Sequence, residues 1–175
     1  MKTKFIVPII FVLLLNSCKS IDKLTQFDIP LSQTITIPAT LPIDIPFDIP
    51  TPPIVLNTET SFELNNTHKE LIQEVYLSDL KMSVQTPVGE DFSILKSIEI
   101  YISADGESEE KIAWLNNVPE STNIVLEMTK ADIKRFIIKD NITLKVKTVT
   151  DEINTRKYEI KVDAIFRVNA KILGI

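Results

Sequence analysis

The sequence predicts an all-β chain: a two-layer antiparallel β-sandwich, Ig-like or jelly-roll in topology, with one short helix and an extended N-terminal proline-rich segment. Three observations carry this. Every even-numbered residue from Tyr158 to Ile172 is apolar, and period two puts such residues on one face of an extended chain. One helix stands out, carried by Ile133, Phe136 and Ile137 at i, i+3, i+4 spacing. Seven of the ten prolines fall between Pro30 and Pro53, which sets that stretch apart from the body.

Taken in order, the chain opens with Lys2 and Lys4, followed by Phe5–Leu15, eleven residues that are all apolar apart from Pro8. A membrane span needs about 20 apolar residues; this length suits the apolar core of a signal peptide. Leu15-Asn16-Ser17-Cys18 then resembles the box of a bacterial lipoprotein, with Leu three places before the cysteine and a small residue directly before it. Asn16 departs from that pattern, which more often has Ala, Ser, Thr or a branched aliphatic there. The alternative is an ordinary secretory signal ending near a cysteine. The resemblance implies that residues 1–17 are removed, that Cys18 is lipidated on its thiol, and that its new amino group is often acylated too. The partner so implied is a lipid bilayer, held through acylated Cys18. Two or three acyl chains anchor stably where one holds marginally. Cys18 is also the only cysteine, so no intramolecular disulfide forms despite the oxidising destination.

Removing 17 of the 175 residues leaves 158, with 17 basic against 24 acidic side chains, a balance of −7. That argues against nucleic acid or an anionic lipid surface as a charge-held partner. The domain division expected is 1–17 signal peptide, 18–53 lipidated cysteine and proline-rich tether or edge ribbon, and 54–175 β-sandwich.

In the ribbon, odd positions from Phe27 to Ile49 are apolar apart from Gln33, and Pro38, Pro42, Pro46 and Pro50 sit four apart on the even set. Each proline pushes its predecessor toward extended geometry. Since N–H groups of even and odd residues point to opposite edges, the prolines delete donors along one edge only, the device that protects edge strands. A solvated stalk is the other reading. The stretch from Phe27 to Ile49 would span roughly 75 Å at about 3.3 Å per residue, more than one small sandwich covers. Part is therefore expected on the domain and the membrane-proximal part free.

Within the body, Phe62 and Leu64 read as a short strand. Val75 and Leu77 are in odd phase and Leu80, Met82 and Val84 in even phase, so a bulge is expected at Ser78-Asp79; a helix across His68–Tyr76 is the rival. Thr86–Asp91 is a turn. Ile98–Ala104, Lys111–Leu115, Ile124–Met128 and Ile142–Val146 are further strands. A helix of nine or ten residues is expected from an N-cap at Thr129, with Asp132 completing a capping box.

Candidate chemistry is sparse. His68, the only histidine, lies in a polar turn with no nucleophile-elbow pattern and no companion ligands for zinc. Asp105–Glu110 is an acidic cluster without the ordered spacing of a calcium loop, and reads as a charged hairpin tip; Gly89-Glu90-Asp91 nearby would favour calcium. No catalytic, cofactor-binding or metal residues are assigned. Tyr101, on the outward face of its strand, and Trp114, buried by default, are the aromatics that could face a ligand such as a sugar.

The Ser17-Cys18-Lys19-Ser20 junction, the Ile43–Pro53 stretch and the β-rich body are similar to small envelope lipoproteins of the Bacteroidota type. That resemblance implies a lipid-anchored cell-envelope protein, at the outer membrane, on its periplasmic or surface face; it lends no activity. The expectation is a non-enzymatic binding or structural module with an envelope protein or glycan as partner. A carbohydrate-binding module is the alternative, and a carboxylate-based glycoside hydrolase a remote one.

Overall fold

The computed structural model describes residues 26–150 and 152–171. The expected signal peptide, the expected lipidation site Cys18 and the last predicted inward residue, Ile172, lie outside the described residues.

Two antiparallel sheets face each other. The first has the order β1 (Gln26–Ile37), β10 (Tyr158–Ala170), β4 (Ile72–Thr86), β7 (Asn123–Val125). The second runs β2 (Phe47–Pro50), β9 (Asn141–Thr150), β5 (Leu95–Ser103), β6 (Glu110–Asn116), β8 (Glu127–Met128), with β3 (Ile54–Val55) also on β9. Four of these pairings, β1 with β10, β2 with β9, β4 with β7 and β5 with β6, are the rungs of one long hairpin. Rolling that hairpin adds β10 to β4 and β9 to β5. This is jelly-roll topology, which decides between the two alternatives the sequence allowed.

The inner faces follow the period-two patterns. Every even residue of β10 from Tyr158 to Ala170 is buried, and β9 buries Ile142, Leu144, Val146, Thr148 and Thr150 in alternation. The two threonines are admitted because their hydroxyls donate to the carbonyls of Ser97 and Pro42, both at 2.8 Å.

The proline ribbon does not split into a free part and a docked part as expected. From Gln26 to Ile37 it is the edge strand β1, paired to β10 without a break in register through Pro30. It then turns the corner between the sheets and continues as β2 on β9. The corner resolves the length problem: the ribbon is too long for one sheet because it serves two. Ile29, Ile35, Ile37, Leu41 and Ile49 are buried; Ile43 and Ile45, at the corner, are exposed.

β4 explains why helix and strand competed in the sequence. Its inward residues are Ile72, Val75, Leu77, Leu80 and Met82, spaced three, two, three and two. Register shifts against β10 leave Gln73 and Ser78 as extra residues, and each bulge turns a step of two into a step of three. The Ser78 bulge was legible in the phase switch; the Gln73 bulge imitates helical spacing. A short 3₁₀ turn, Lys69–Leu71, precedes the strand.

There are two short helices among the described residues, one more than expected. Thr58–Leu64 is α1, not a strand: Thr58 and Phe62 are buried, one helical turn apart, while Leu64 is exposed. Helix α2 is only Lys134–Ile137. Lys130 has φ +57°, which no helix admits, and the Ile133 N–H donates to the Val75 carbonyl at 2.7 Å. The segment after Thr129 is thus drawn onto β4, and Asp132 starts the helix late by accepting the Lys134 N–H at 3.0 Å. Ile133, Phe136 and Ile137 are buried as the stripe required, plugging the end of the sandwich where β1 begins.

Ile49 is 2 % exposed and Ile45 58 %. Ile49→Ala is therefore expected to cost about 2–5 kcal/mol in urea unfolding, and Ile45→Ser no more than about 0.5 kcal/mol. Equal effects would contradict the described docking of the ribbon.

Candidate functional site

The two sequence-chosen aromatics share the outer face of the second sheet. In β6 a register shift against β5 leaves Ile112 as an extra residue, so Ile112 and Ala113 are both buried and Trp114 is swung outward. Core burial of Trp114, the default, is thereby overturned: the ring is half-buried, across from Glu99 of β5 and Glu127 of β8.

Tyr101 is half-buried two residues beyond Glu99. Its hydroxyl donates to Glu99 Oε2 at 2.8 Å, and Lys111 Nζ donates to Glu99 Oε1 at 3.0 Å. Lys145 Nζ stands 5.1 Å from the ring centroid, held there by Glu109 at 2.6 Å. The hydrogen bond to Glu99, then burial, pushes the phenol pKa up to about 12, while Lys111 and then Tyr101 hold Glu99 below its ordinary range. A ring roofed by an ammonium and tied at its hydroxyl is a cross-strand brace. Trp114 alone keeps the character of a stacking surface.

His68 is exposed, with Nδ1 2.7 Å from Glu70 Oε2. It borders a shallow pocket of about 290 Å³ with Glu59, Glu63, Thr67, Lys69 and Glu70, and the Thr67 hydroxyl donates to the Lys171 carbonyl at 2.9 Å rather than to His68. In the acidic hairpin, Glu110 pairs with Arg135 at 2.7 Å and Glu107 lies 3.6 Å from both Arg135 and Lys139. These carboxylates seat the hairpin on α2 and its C-terminal flank. Gly89-Glu90-Asp91 sits at the opposite end of the sandwich, so the two acidic stretches do not combine. Among the described residues no group of three or more His, Cys, Asp or Glu is placed to hold a metal.

Two features escaped the sequence reading. One is the end of the sandwich opposite Gln26, where the loops 38–46, 87–94 and 152–157 meet. Asn154 donates to the Pro38 carbonyl at 2.9 Å and accepts the Thr40 N–H through its own carbonyl at 2.6 Å. Arg156 and Tyr158 both bind Glu90, and Lys96 binds Asp44 at 2.9 Å. This braced tip presents Ile43, Ile45, Val88 and Ile153, the last three 58 %, 94 % and 70 % exposed. The signal available in sequence was weak: isoleucines in loops that topology alone brings together. The other feature is a slit beside β4, lined by residues from three strands and the segment after β8.

No family model and no curated protein matches the chain. Among solved structures, one from Desmodium yellow mottle tymovirus is similar over 86 % of this chain and 85 % of its own, at 12 % identity and a TM-score of 0.28. An empty head of turnip yellow mosaic virus is similar over 84 % of each chain, at 6 % identity and a TM-score of 0.28. Likeness at this level carries no argument about fold or function.

The Tyr101 brace has a pH signature. A phenol whose folded pKa lies above its ordinary value of 10.0 stabilises the fold fully below pH 10. That contribution is lost as pH rises through the folded value of about 12. Ultraviolet titration of phenolate is expected to show late ionisation of Tyr101 that moves down toward the ordinary value in Glu99→Ala. An unmoved titration would refute the brace.

Proposed function

We propose that the chain is a lipid-anchored protein of the bacterial cell envelope, held at the outer membrane by acylated Cys18. In this reading it is a non-enzymatic jelly-roll module that engages an envelope partner with its far end. The supporting observation is polarity. Gln26 opens β1 at one end of the sandwich, and the braced loops with Ile43, Ile45, Val88 and Ile153 lie at the other.

Cys18 precedes Gln26 by eight residues, a reach of at most roughly 28 Å. The twelve residues of β1 then carry the chain roughly 40 Å further, at about 3.3 Å each. An anchor at one end thus presents the tip outward. Exposed branched aliphatics on a rigid, braced surface are what a protein partner buries. Trp114 supports a second reading, a glycan held against the outer face of the second sheet, because the Ile112 bulge turns the indole outward.

Membrane fractionation tests the anchor: Cys18→Ala is expected to leave the membrane fraction, and its retention there would sink the claim. Capture from solubilised envelopes tests the tip. Ile45→Asp with Ile153→Asp, both at exposed positions, is expected to keep the melting temperature and lose the partner that the parent chain retains. Loss upon Trp114→Ala instead, with restoration by soluble glycan, would favour the second reading.

A further inference from the structure

Beside β4 lies a cleft of about 670 Å³, lined by Tyr76, Leu77, Ser78, Met128, Lys130 and Arg167 and flanked by Glu74 and Glu127. That volume is typical of sites for small ligands, about 300–1,000 Å³. Tyr76, Leu77 and Ser78 are consecutive, and successive side chains of a strand leave opposite faces. A cleft that all three line therefore runs along the edge of the strand, where the main chain is the wall.

The hydrogen bonds on either side say which groups face it. Val75 points its main chain away from β10: its N–H donates to Asp132 Oδ1 at 3.0 Å and its carbonyl accepts the Ile133 N–H at 2.7 Å. Above the Ser78 bulge, the Leu80 carbonyl accepts the Leu126 N–H at 3.0 Å. Leu126 and Ile133 thus occupy the edge above and below, and the chain between them bows away. Leu77, two residues after Val75, repeats its orientation and directs one donor and one acceptor into the gap. The Leu77 side chain is buried in the core, so its main chain is what it offers the cleft.

The walls are built. Asp28 holds Arg167 with two bonds, at 2.9 and 3.0 Å, and Arg167 lies opposite Tyr76 in the β10–β4 ladder. Met128 supplies an apolar side. At the rim, the side chains of Glu127 and Lys130 have no hydrogen-bond or ion-pair partner among the described residues, one charge of each sign on either side of Met128.

We propose that this cleft binds a short extended peptide by completing the vacant rung at Leu77. A donor and an acceptor from one strand residue are matched by the N–H and C=O of one peptide residue. Its apolar side chain packs against Met128 and Tyr76, and flanking residues of opposite charge meet Lys130 and Glu127. The Ser78 bulge and the 126–133 segment limit the bound stretch to about three residues, so the edge is a site for a short motif rather than for an added strand. This site stands on its own geometry, independently of the anchor and the tip.

The test uses the intact chain in mild detergent, isotopically labelled, with three probes: blocked Lys-Leu-Glu, blocked Glu-Leu-Lys, and the tighter of the two with its leucine nitrogen methylated. One order is expected to shift the Leu77 and Ser78 amide resonances saturably and to slow exchange of the Leu77 amide. Methylation, which deletes the rung, is expected to weaken binding about tenfold. The double variant Glu127→Lys with Lys130→Glu, at exposed positions, is expected to reverse the preferred order. Absent shifts at Leu77, equal binding of the methylated peptide, or the same shifts from N-acetylglucosamine alone would overturn the proposal.

Discussion

The structure depends on the pairing of its first described strands with its last. β1 and β2 run as a ribbon against β10 and β9, and both ribbons cross from one sheet to the other at the same corner. Thr40 is tied to Asn154 there, and Asp44 to Thr150. Everything else in the roll nests inside this outer pair: β4 and β5 are placed by lying next to β10 and β9. The cost of bringing Gln26 to Asn169 is a large loop closure, repaid only when both sheets bury their inner faces together. Ile35 and Ile37 on one sheet and Ile49 on the other are the ribbon's share of that burial.

The two long sides of the sandwich are finished differently. On the ribbon side the corner is stitched by polar groups that would otherwise be buried without partners; Thr150 and Asn154 are buried and both donate to proline-region carbonyls. On the other side β7 covers only Lys81–Ser83 of β4, and the chain crosses at Leu126 before returning to β4 at Asp132 and Ile133. A complete seam would need a longer β7. Instead Asp132 accepts two N–H groups at once, from Val75 and Lys134, closing the lower half of the strand edge and starting α2. The cleft is the interval between these two partial closures.

How much of this was legible in the sequence follows from which physics is local. Side-chain alternation is local, so β5, β9 and β10 stand in the sequence nearly as they stand in the fold, and the Ser78 bulge shows as a change of phase. Bulges that leave no phase signature are not legible: Gln73 made β4 resemble a helix, and Ile112 hid the outward turn of Trp114. The ribbon's alternation marked it as a strand without saying that one face would serve two sheets, because which strand pairs with which is settled by residues far away in the sequence, in β9 and β10. Tyr101 was placed on the correct face, but its role as a brace needed Glu99, Lys111 and Lys145 from three strands. The tip and the cleft are made by residues whose proximity is purely topological, and no local pattern announces either.

The prolines show how one residue type serves two requirements. Pro30 withholds an N–H donor within β1 without disturbing its register with β10, which requires the missing donor to lie on the solvent edge, whereas Pro38, Pro42 and Pro46 lie between β1 and β2, at the corner. A chain confined to a membrane surface, as proposed, meets its own copies at high local concentration, where an intact outer edge would template edge-to-edge association. A proline nevertheless keeps its carbonyl. Pro38 and Pro42 use theirs to accept from Asn154 and Thr150 at the corner. The deleted donor keeps the edge from recruiting strands, and the retained acceptors fix the corner that joins the sheets. The two roles fall to different prolines: Pro30 guards the outer edge of β1, and Pro38 and Pro42 hold the corner.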